Sequence, residues 1–418
     1  MAFIRFLLGL TDTEDHERPP HPRRPRGGRP DRAGRDPRVA AFLPSGDGED
    51  VVTSLLRNPV KNYDWGSRTA IATLAGRPSP AERPEAEMWF GTHPSGSSSV
   101  LRRGTWHSLA ETVAADPVAE LGERTVERFG SRLPYLLKLI AVDLPLSLQV
   151  HPSRRQAEEG YARGVYVDPF PKPELICALT PFTALAGFRP PAEAAALIGG
   201  LGIPELEPVV APLAAGDASA ALRALVEWPK DDRADLAAAI ARAASASGGP
   251  DDELVVRLTG IHPEDPACLA PLFLRRHELR PGEALFLGAG VLHCYLSGFG
   301  VEIMGSSDNV LRAGLTSKPM DVDELLRVTD PSISPLPVEP VGNLYRTPAP
   351  EFRLGTAVPG SGLTLEGGVP RILVCTEGEA EVGGQVLQPG ESVFVPAAHG
   401  AVELRGPGTI FWAEPGLD

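Results

Sequence analysis

The chain has 418 residues, 42% of them hydrophobic, with 54 acidic against 40 basic side chains, a formal charge of -14 and a pI of about 5.2. That is enough apolar material for two or three well-buried cores, and the acidic balance excludes nucleic acid and anionic membrane surfaces as partners. No apolar run reaches the roughly 18 residues of a membrane span, and Met1 to Leu10 lacks a convincing cleavage site. The four cysteines, Cys177, Cys268, Cys294 and Cys375, are scattered without paired spacing, which fits a reduced, cytoplasmic setting.

Residues 17–38 are dominated by Arg, Pro, Gly and Asp and predict a disordered extension over 1–50, with the native start near Val51 or Val52. From about Val60 to Phe188 short alternating runs predict β-sheet, with Asp143-Leu144-Pro145 as a turn between Tyr135 to Val142 and Leu146 to His151. In the second of these runs the aliphatic positions alternate with Ser147, Gln149 and His151, which a strand puts on one face. Residues 191–271 change to Ala/Leu-rich segments, Asp217 to Glu227 and Asp231 to Ala246, that read as helices opening near a capping Asp. Strands resume near Leu272. In His293-Cys294-Tyr295-Leu296-Ser297 the alternation projects His293, Tyr295 and Ser297 together and turns Cys294 away; Gly298-Phe299-Gly300 reads as a turn before Glu302. Gly288 to Leu292 makes an apolar, flexible approach to His293.

An internal echo marks a repeat. Leu279-Arg280-Pro281-Gly282-Glu283 leads into Ala284 to Leu287 and then His293; Leu387-Gln388-Pro389-Gly390-Glu391 leads into Ser392 to Val395 and then His399. Each Pro-Gly is a turn feeding an apolar strand.

Gln149, His151, Glu174 and His293 form a nitrogen- and oxygen-rich set without thiolates, suited to zinc or a similar divalent ion. Lysine is scarce: the five lysines are Lys61, Lys138, Lys172, Lys230 and Lys318, in a chain that otherwise uses Arg. Selection for a compact, titratable ammonium explains such retention, and drift is the alternative.

Five blocks in order carry a resemblance: Asn58 to Gly66, Ala86 to Pro94, Gln149 to Pro152, Lys172-Pro173-Glu174, and Ser307 to Thr316. Together they resemble the type I mannose-6-phosphate isomerases, zinc-dependent cupin enzymes that interconvert mannose 6-phosphate and fructose 6-phosphate. The resemblance implies a mainly β fold of two cupin-like β-barrel or jelly-roll domains with an α-helical insertion. The expected division is a catalytic cupin domain of 51–190 plus 272–335, a helical insertion of 191–271 and a C-terminal cupin-like domain of 336–418. It implies one zinc ion per chain on Gln149, His151, Glu174 and His293, and no metal at His399. Arg312 matches the family's catalytic arginine and suits stabilising an enediolate or gripping phosphate. Lys172, a titratable cation where Arg312 is not, is the candidate for proton transfer. Lys318, Lys138, Glu302, Tyr295 and Ser147 are candidate substrate contacts. For Glu302 the alternative is anchoring a cation, and for Lys138 a solvated or structural lysine. Trp65 and Trp89 read as core or pocket walls. The expected partner is a sugar phosphate, the expected state a monomer, and the expected role mannose phosphate supply for GDP-mannose and glycan synthesis, or the feeding of mannose into glycolysis. A metal cupin oxygenase and a non-catalytic sugar-binding cupin remain alternatives.

Overall fold

A computed structural model describes residues 53–358, 360 and 362–417. The readings of 1–50 as a disordered extension and of a start near Val51 or Val52 lie outside the described residues.

The molecule is mostly sheet with a helical insertion, as expected. Its central element is the 13-residue strand His293–Gly305. Its first part pairs with Phe182–Phe188 and, through His293, with Gln149; its second part, from Gly298, pairs with Tyr135–Val142 and Glu174–Ala178. One strand thus serves two faces of the barrel and carries His293 in one and Glu302 in the other. The corner lies at Gly298. Its φ is 127°, and a Cβ there would stand 2.6 Å from Phe182 Cδ2 and 2.7 Å from Phe182 Cα. Gly298-Phe299-Gly300 is therefore not the expected turn: the glycines let a continuous strand bend against its neighbours instead of ending it.

The 60–188 stretch also departs from a pure sheet reading. Helices occupy Ala70–Leu74, Leu109–Ala115, Pro117–Leu121, Glu123–Phe129 and Arg154–Ala162. Their start signals are ordinary ones: Ser108 accepts from Glu111 N, Asp116 accepts from Ala119 N with Pro117 following, and Ser153 forms a capping box with Gln156. Burial of short apolar runs concealed them, because runs this brief do not separate helix from strand by period.

Helices run from Pro191 to Phe273. Ala218–Val226 is capped by Asp217, which accepts from Ala220 N at 2.8 Å, whereas Asp232 ahead of Arg233–Ser247 makes no cap bond. Their buried leucines and alanines share a core with Leu148, Val150, Leu292, Cys294 and Leu296. The helices therefore pack behind the strands whose opposite faces bear Gln149 and His293.

The echoed Pro-Gly segments do the same job twice. Gly282 and Gly390 take φ of 87° and 84°. In the first case the chain passes from Leu274–Leu279, paired with Phe182–Phe188, to Ala284–Leu287, paired with Glu174–Ala178. In the second it passes from Gln385–Leu387, in a four-stranded sheet, to Ser392–Val395, in a nine-stranded one. The strand Ser54–Arg57 pairs with Ser392–Val395 as well as Ser99–Arg102, so the described chain begins within the sheet that its last strands build. The domain division at 190, 271 and 335 is retained as a proposal, and this pairing crosses it.

Candidate metal centre and active site

Leu148–Val150 is a three-residue strand whose Leu148 and Val150 are buried and whose Gln149 is half-buried on the other face. Gln149 pairs in register with His293 on one side and Arg312 on the other, so the three side chains share a face. His151 follows immediately, and Glu174 opens the strand Glu174–Ala178. One donor atom from each of His151, Glu174 and His293 lies within 4.8 Å of the others. His151 Nε2 is 3.1 Å from Glu174 Oε1, His293 Nε2 is 3.3 Å from Glu174 Oε2, and the Gln149 amide is 3.5 Å from His293 Nε2. The Gln149 amide can present its oxygen by a 180° flip.

The protonation of this cluster follows from its outer partners. His151 Nδ1 donates to the Asn309 carbonyl at 2.8 Å and His293 Nδ1 donates to the Val291 carbonyl at 2.9 Å. Each imidazole in neutral form then turns an Nε2 lone pair toward Glu174. Burial and the nearby Lys172 charge push the His151 pKa down to about 4, outweighing Glu174, so the ring is neutral at pH 7. Burial would raise the Glu174 pKa, but Lys172 and His151 outweigh it and hold the carboxyl ionised well below the usual range. The three residues are only 1–2% exposed, and His151 Nε2 and Glu174 Oε2, though close to partners, have no hydrogen bond of acceptable geometry. Buried lone pairs facing each other are costly unless a cation lies between them. The spacing leaves room for an ion about 2 Å from each atom, so the donor set fits a divalent metal.

Across the sheet, Lys138 stands in register with Glu302 and Trp89. Its Nζ is 3.0 Å from Glu302 Oε2 and 3.2 Å from Glu87 Oε1, and Glu87 Oε2 accepts from Trp89 Nε1 at 2.7 Å. Burial would lower the Lys138 pKa, but Glu302 and Glu87 together raise it above the ordinary value, so the buried ammonium stays charged. A solvated lysine is thereby excluded. Burial, opposed by Lys138 and assisted by Glu174 and Glu87, raises the Glu302 pKa. The Tyr295 hydroxyl is fully buried without a well-formed hydrogen bond, and burial with Glu302 nearby raises its pKa well above normal. Lys172 Nζ sits 3.1 Å from Glu174 Oε1.

Arg312 is half-buried, with its pKa lowered by burial, and its guanidinium has no side-chain partner among the described residues. Lys318 is exposed; the charge of Arg312, then burial, lowers its pKa, which puts two cations near each other. Ser147 is half-buried one residue ahead of its strand. Cys294 faces away into the helical core, its thiol donating to Leu146 O at 3.0 Å. His399 is half-buried in a bend, its Nδ1 beside the Gly400 carbonyl. The approach to His293 is pinned, not loose: Gly290 N donates to His151 O at 3.0 Å and Asp330 N to Gly290 O at 3.0 Å.

Glu87, Asp168, Asn309, His93 and Asp308 carry structure that the sequence reading left unassigned. Asp168 accepts from Ser307 Oγ at 2.8 Å, Asp308 N at 3.0 Å and Asn309 Nδ2 at 3.1 Å. It thereby ties the Lys172 segment to the loop whose Asn309 carbonyl orients His151. His93, buried edge-on against Trp89, has Nε2 3.4 Å from Asp308 Oδ1. The Asp168-Pro169 dipeptide is a turn signal that marks this hub in the sequence; Glu87 lies within the Ala86 to Pro94 block and Asn309 within the Ser307 to Thr316 block.

A family model described as phosphomannose isomerase type I, catalytic domain, matches residues 54–191. The mannose-6-phosphate isomerase of Escherichia coli (strain K12) is 35% identical over 384 residues, covering 85% of this chain and 97% of its own length. The chain belongs to the type I mannose-6-phosphate isomerase family. The human mannose-6-phosphate isomerase is 34% identical over 344 residues, covering 72% of this chain and 81% of its own. Among solved structures, a point variant of the phosphomannose isomerase from Salmonella typhimurium superposes with a TM-score of 0.81 at 32% identity, covering 87% of this chain and 99% of that one. A zinc-bound mannose 6-phosphate isomerase gives a TM-score of 0.80 at 32% identity, with the same coverage. The sheet-rich architecture with its helical insertion is thus that of the phosphomannose isomerases, and the family is one of enzymes.

Proposed function

We propose that the chain interconverts D-mannose 6-phosphate and D-fructose 6-phosphate through an enediolate, at one zinc ion per chain held by Gln149, His151, Glu174 and His293. The observation that carries this reading is the buried trio of His151, Glu174 and His293, whose donor atoms cluster together and in which His151 Nε2 and Glu174 Oε2 lack hydrogen bonds. Bound zinc would polarise the sugar oxygens on which negative charge develops. The remaining chemistry falls to the chain. Lys172, next to Glu174 and mostly shielded from solvent, is the proposed proton carrier between the two sugar carbons. Arg312, permanently charged and without an anionic partner among the described residues, steadies negative charge, and Lys318 joins it at the phosphate. Lys138, Glu302, Tyr295 and Ser147 are proposed sugar contacts, with Lys138 fixed as a cation by its two carboxylates. An oxygenase or a non-catalytic sugar binder would leave Lys172, Arg312 and Lys318 without a task.

The proposal extends to a cytoplasmic monomer supplying mannose phosphate for GDP-mannose synthesis. All four cysteines are buried and unpaired, which suits a reducing compartment. Among the described residues no helix is long and apolar enough to cross a membrane.

Exchange of the C2 proton of the sugar with labelled water, beside a coupled isomerase assay, tests the roles. Lys172→Arg keeps the charge and loses the titratable amine, so exchange and turnover should both fall sharply with zinc content intact. Near-normal exchange in that variant would remove Lys172 as proton carrier.

A further inference from the structure

Asp265 closes the helical insertion as N-cap of the short turn Pro266–Leu269. One carboxylate oxygen accepts from Ala267 N at 2.9 Å, while the other crosses to Leu315 and accepts its backbone N–H at 2.6 Å. That second bond holds an unusual backbone. Leu315 has φ of 54°, and among the described residues only Arg103 is another non-glycine with positive φ. Arg103 lies in the two-residue hairpin between Ser99–Arg102 and Thr105–Ser108, where such a conformation is ordinary. Leu315 has no hairpin to justify it, and leucine disfavours this region.

Gly314, just before it, has φ of 143°, and a Cβ there would stand 2.2 Å from Ala267 Cβ and 3.3 Å from Asp265 Oδ1. The chain after Arg312 therefore turns hard against the insertion. Leu315 is itself buried in the insertion's core. Beyond the turn, Lys318 comes close enough to Arg312 for the guanidinium to be the largest influence on its ammonium, with no carboxylate paired to either among the described residues. Two like charges brought near each other repel, and a leucine in a left-handed conformation relaxes, unless the backbone is held.

We propose that Asp265 is a positioning residue: by holding the Leu315 amide it converges Arg312 and Lys318 on one phosphoryl group, so the helical insertion sets affinity for the phosphate end of the sugar. This rests on the reading of Arg312 and Lys318 as the phosphate-binding pair.

The test uses the full, zinc-loaded chain carrying Asp265→Ser or Asp265→Ala. Serine retains one oxygen on a short stem, enough to cap Ala267 but not to reach Leu315 as well; alanine loses both bonds. The measurements are zinc content, the inhibition constant of inorganic phosphate, and KM and kcat for mannose 6-phosphate. Both variants should raise KM and the phosphate inhibition constant about tenfold, the change expected for one lost charge-assisted hydrogen bond, while zinc content stays unchanged and kcat moves by less than about threefold. Wild-type phosphate inhibition in Asp265→Ser would overturn the proposal, since the tether would then be idle. If Asp265→Ala does not fold, Asp265→Ser carries the test. If inorganic phosphate fails to compete in the unaltered protein, the phosphate-pair reading itself is wrong, and that result is distinguishable because it requires no substitution.

Discussion

A buried ammonium keeps its proton only where carboxylates surround it, and Lys138 has two. Removing it would leave Glu87 and Glu302 buried, near each other and near Glu174, without the cation that separates them. Lys138→Ala should therefore lower stability by about 3–5 kcal/mol in urea unfolding, as expected when one partner of a buried ion pair is lost; a change below about 1 kcal/mol, typical of exposed pairs, would contradict the buried-pair account. Asn309→Ala addresses the metal ligands from behind. The His151 bond goes to the Asn309 backbone, but the Asn309 side chain is what secures that backbone, through Asp168 and the Phe170 carbonyl. Metal affinity measured by competition with a chelator should fall about 10–100-fold, with the fold retained. Unchanged affinity would mean that the loop holds itself. His151, Glu174 and His293 were legible in the sequence because short motifs and strand alternation mark them. Glu87 and Asp168 were not, since a carboxylate that acts on a lysine 51 positions away or on a distant loop leaves no local period.

At the scale of elements, the strand His293–Gly305 depends on its corner. Gly298→Ala would place a methyl group against Phe182 in a backbone conformation unsuited to alanine, and should destabilise the protein by more than about 2 kcal/mol. Thermal or urea unfolding checks it. The helices Arg154–Ala162 and Val322–Val328 are tied by Glu324, whose carboxylate takes bonds from Arg327, Arg163 and Tyr166. Arg327 chiefly, against the opposing effect of burial, holds its pKa down to about 2 from an ordinary 4.5. A depressed folded-state pKa stabilises above the unfolded value, and the contribution is lost as pH falls from about 4.5 toward 2. The stability difference between the protein and Glu324→Gln should accordingly be full at pH 6 and shrink through that window; a gap independent of pH would refute the linkage. Long alternating strands were readable in advance. The short helices between Leu109 and Phe129 were obscured because their apolar runs are too brief to show a period, although Ser108 and Asp116 announced their starts.

For the whole molecule, the repeat of Pro-Gly turns at Gly282 and Gly390 was visible and corresponds to a repeated passage between sheets. The pairing of Ser54–Arg57 with Ser392–Val395 was not, because strand partners hundreds of residues apart are chosen by packing, not by pattern. The helical insertion was legible as Ala/Leu-rich helices; the structure joins its core to the backs of the site strands and its Asp265 to Leu315. Under the proposed function, isomerisation requires one metal in the His151, Glu174 and His293 cluster. The most direct test of that requirement is titration of chelator-stripped protein with zinc, following mannose 6-phosphate isomerisation and bound metal together. Activity should rise linearly and stop at one zinc per chain, and Glu174→Ala should neither bind the ion nor gain activity while remaining folded. Full activity in metal-free protein, or an undiminished zinc response in Glu174→Ala, would contradict it.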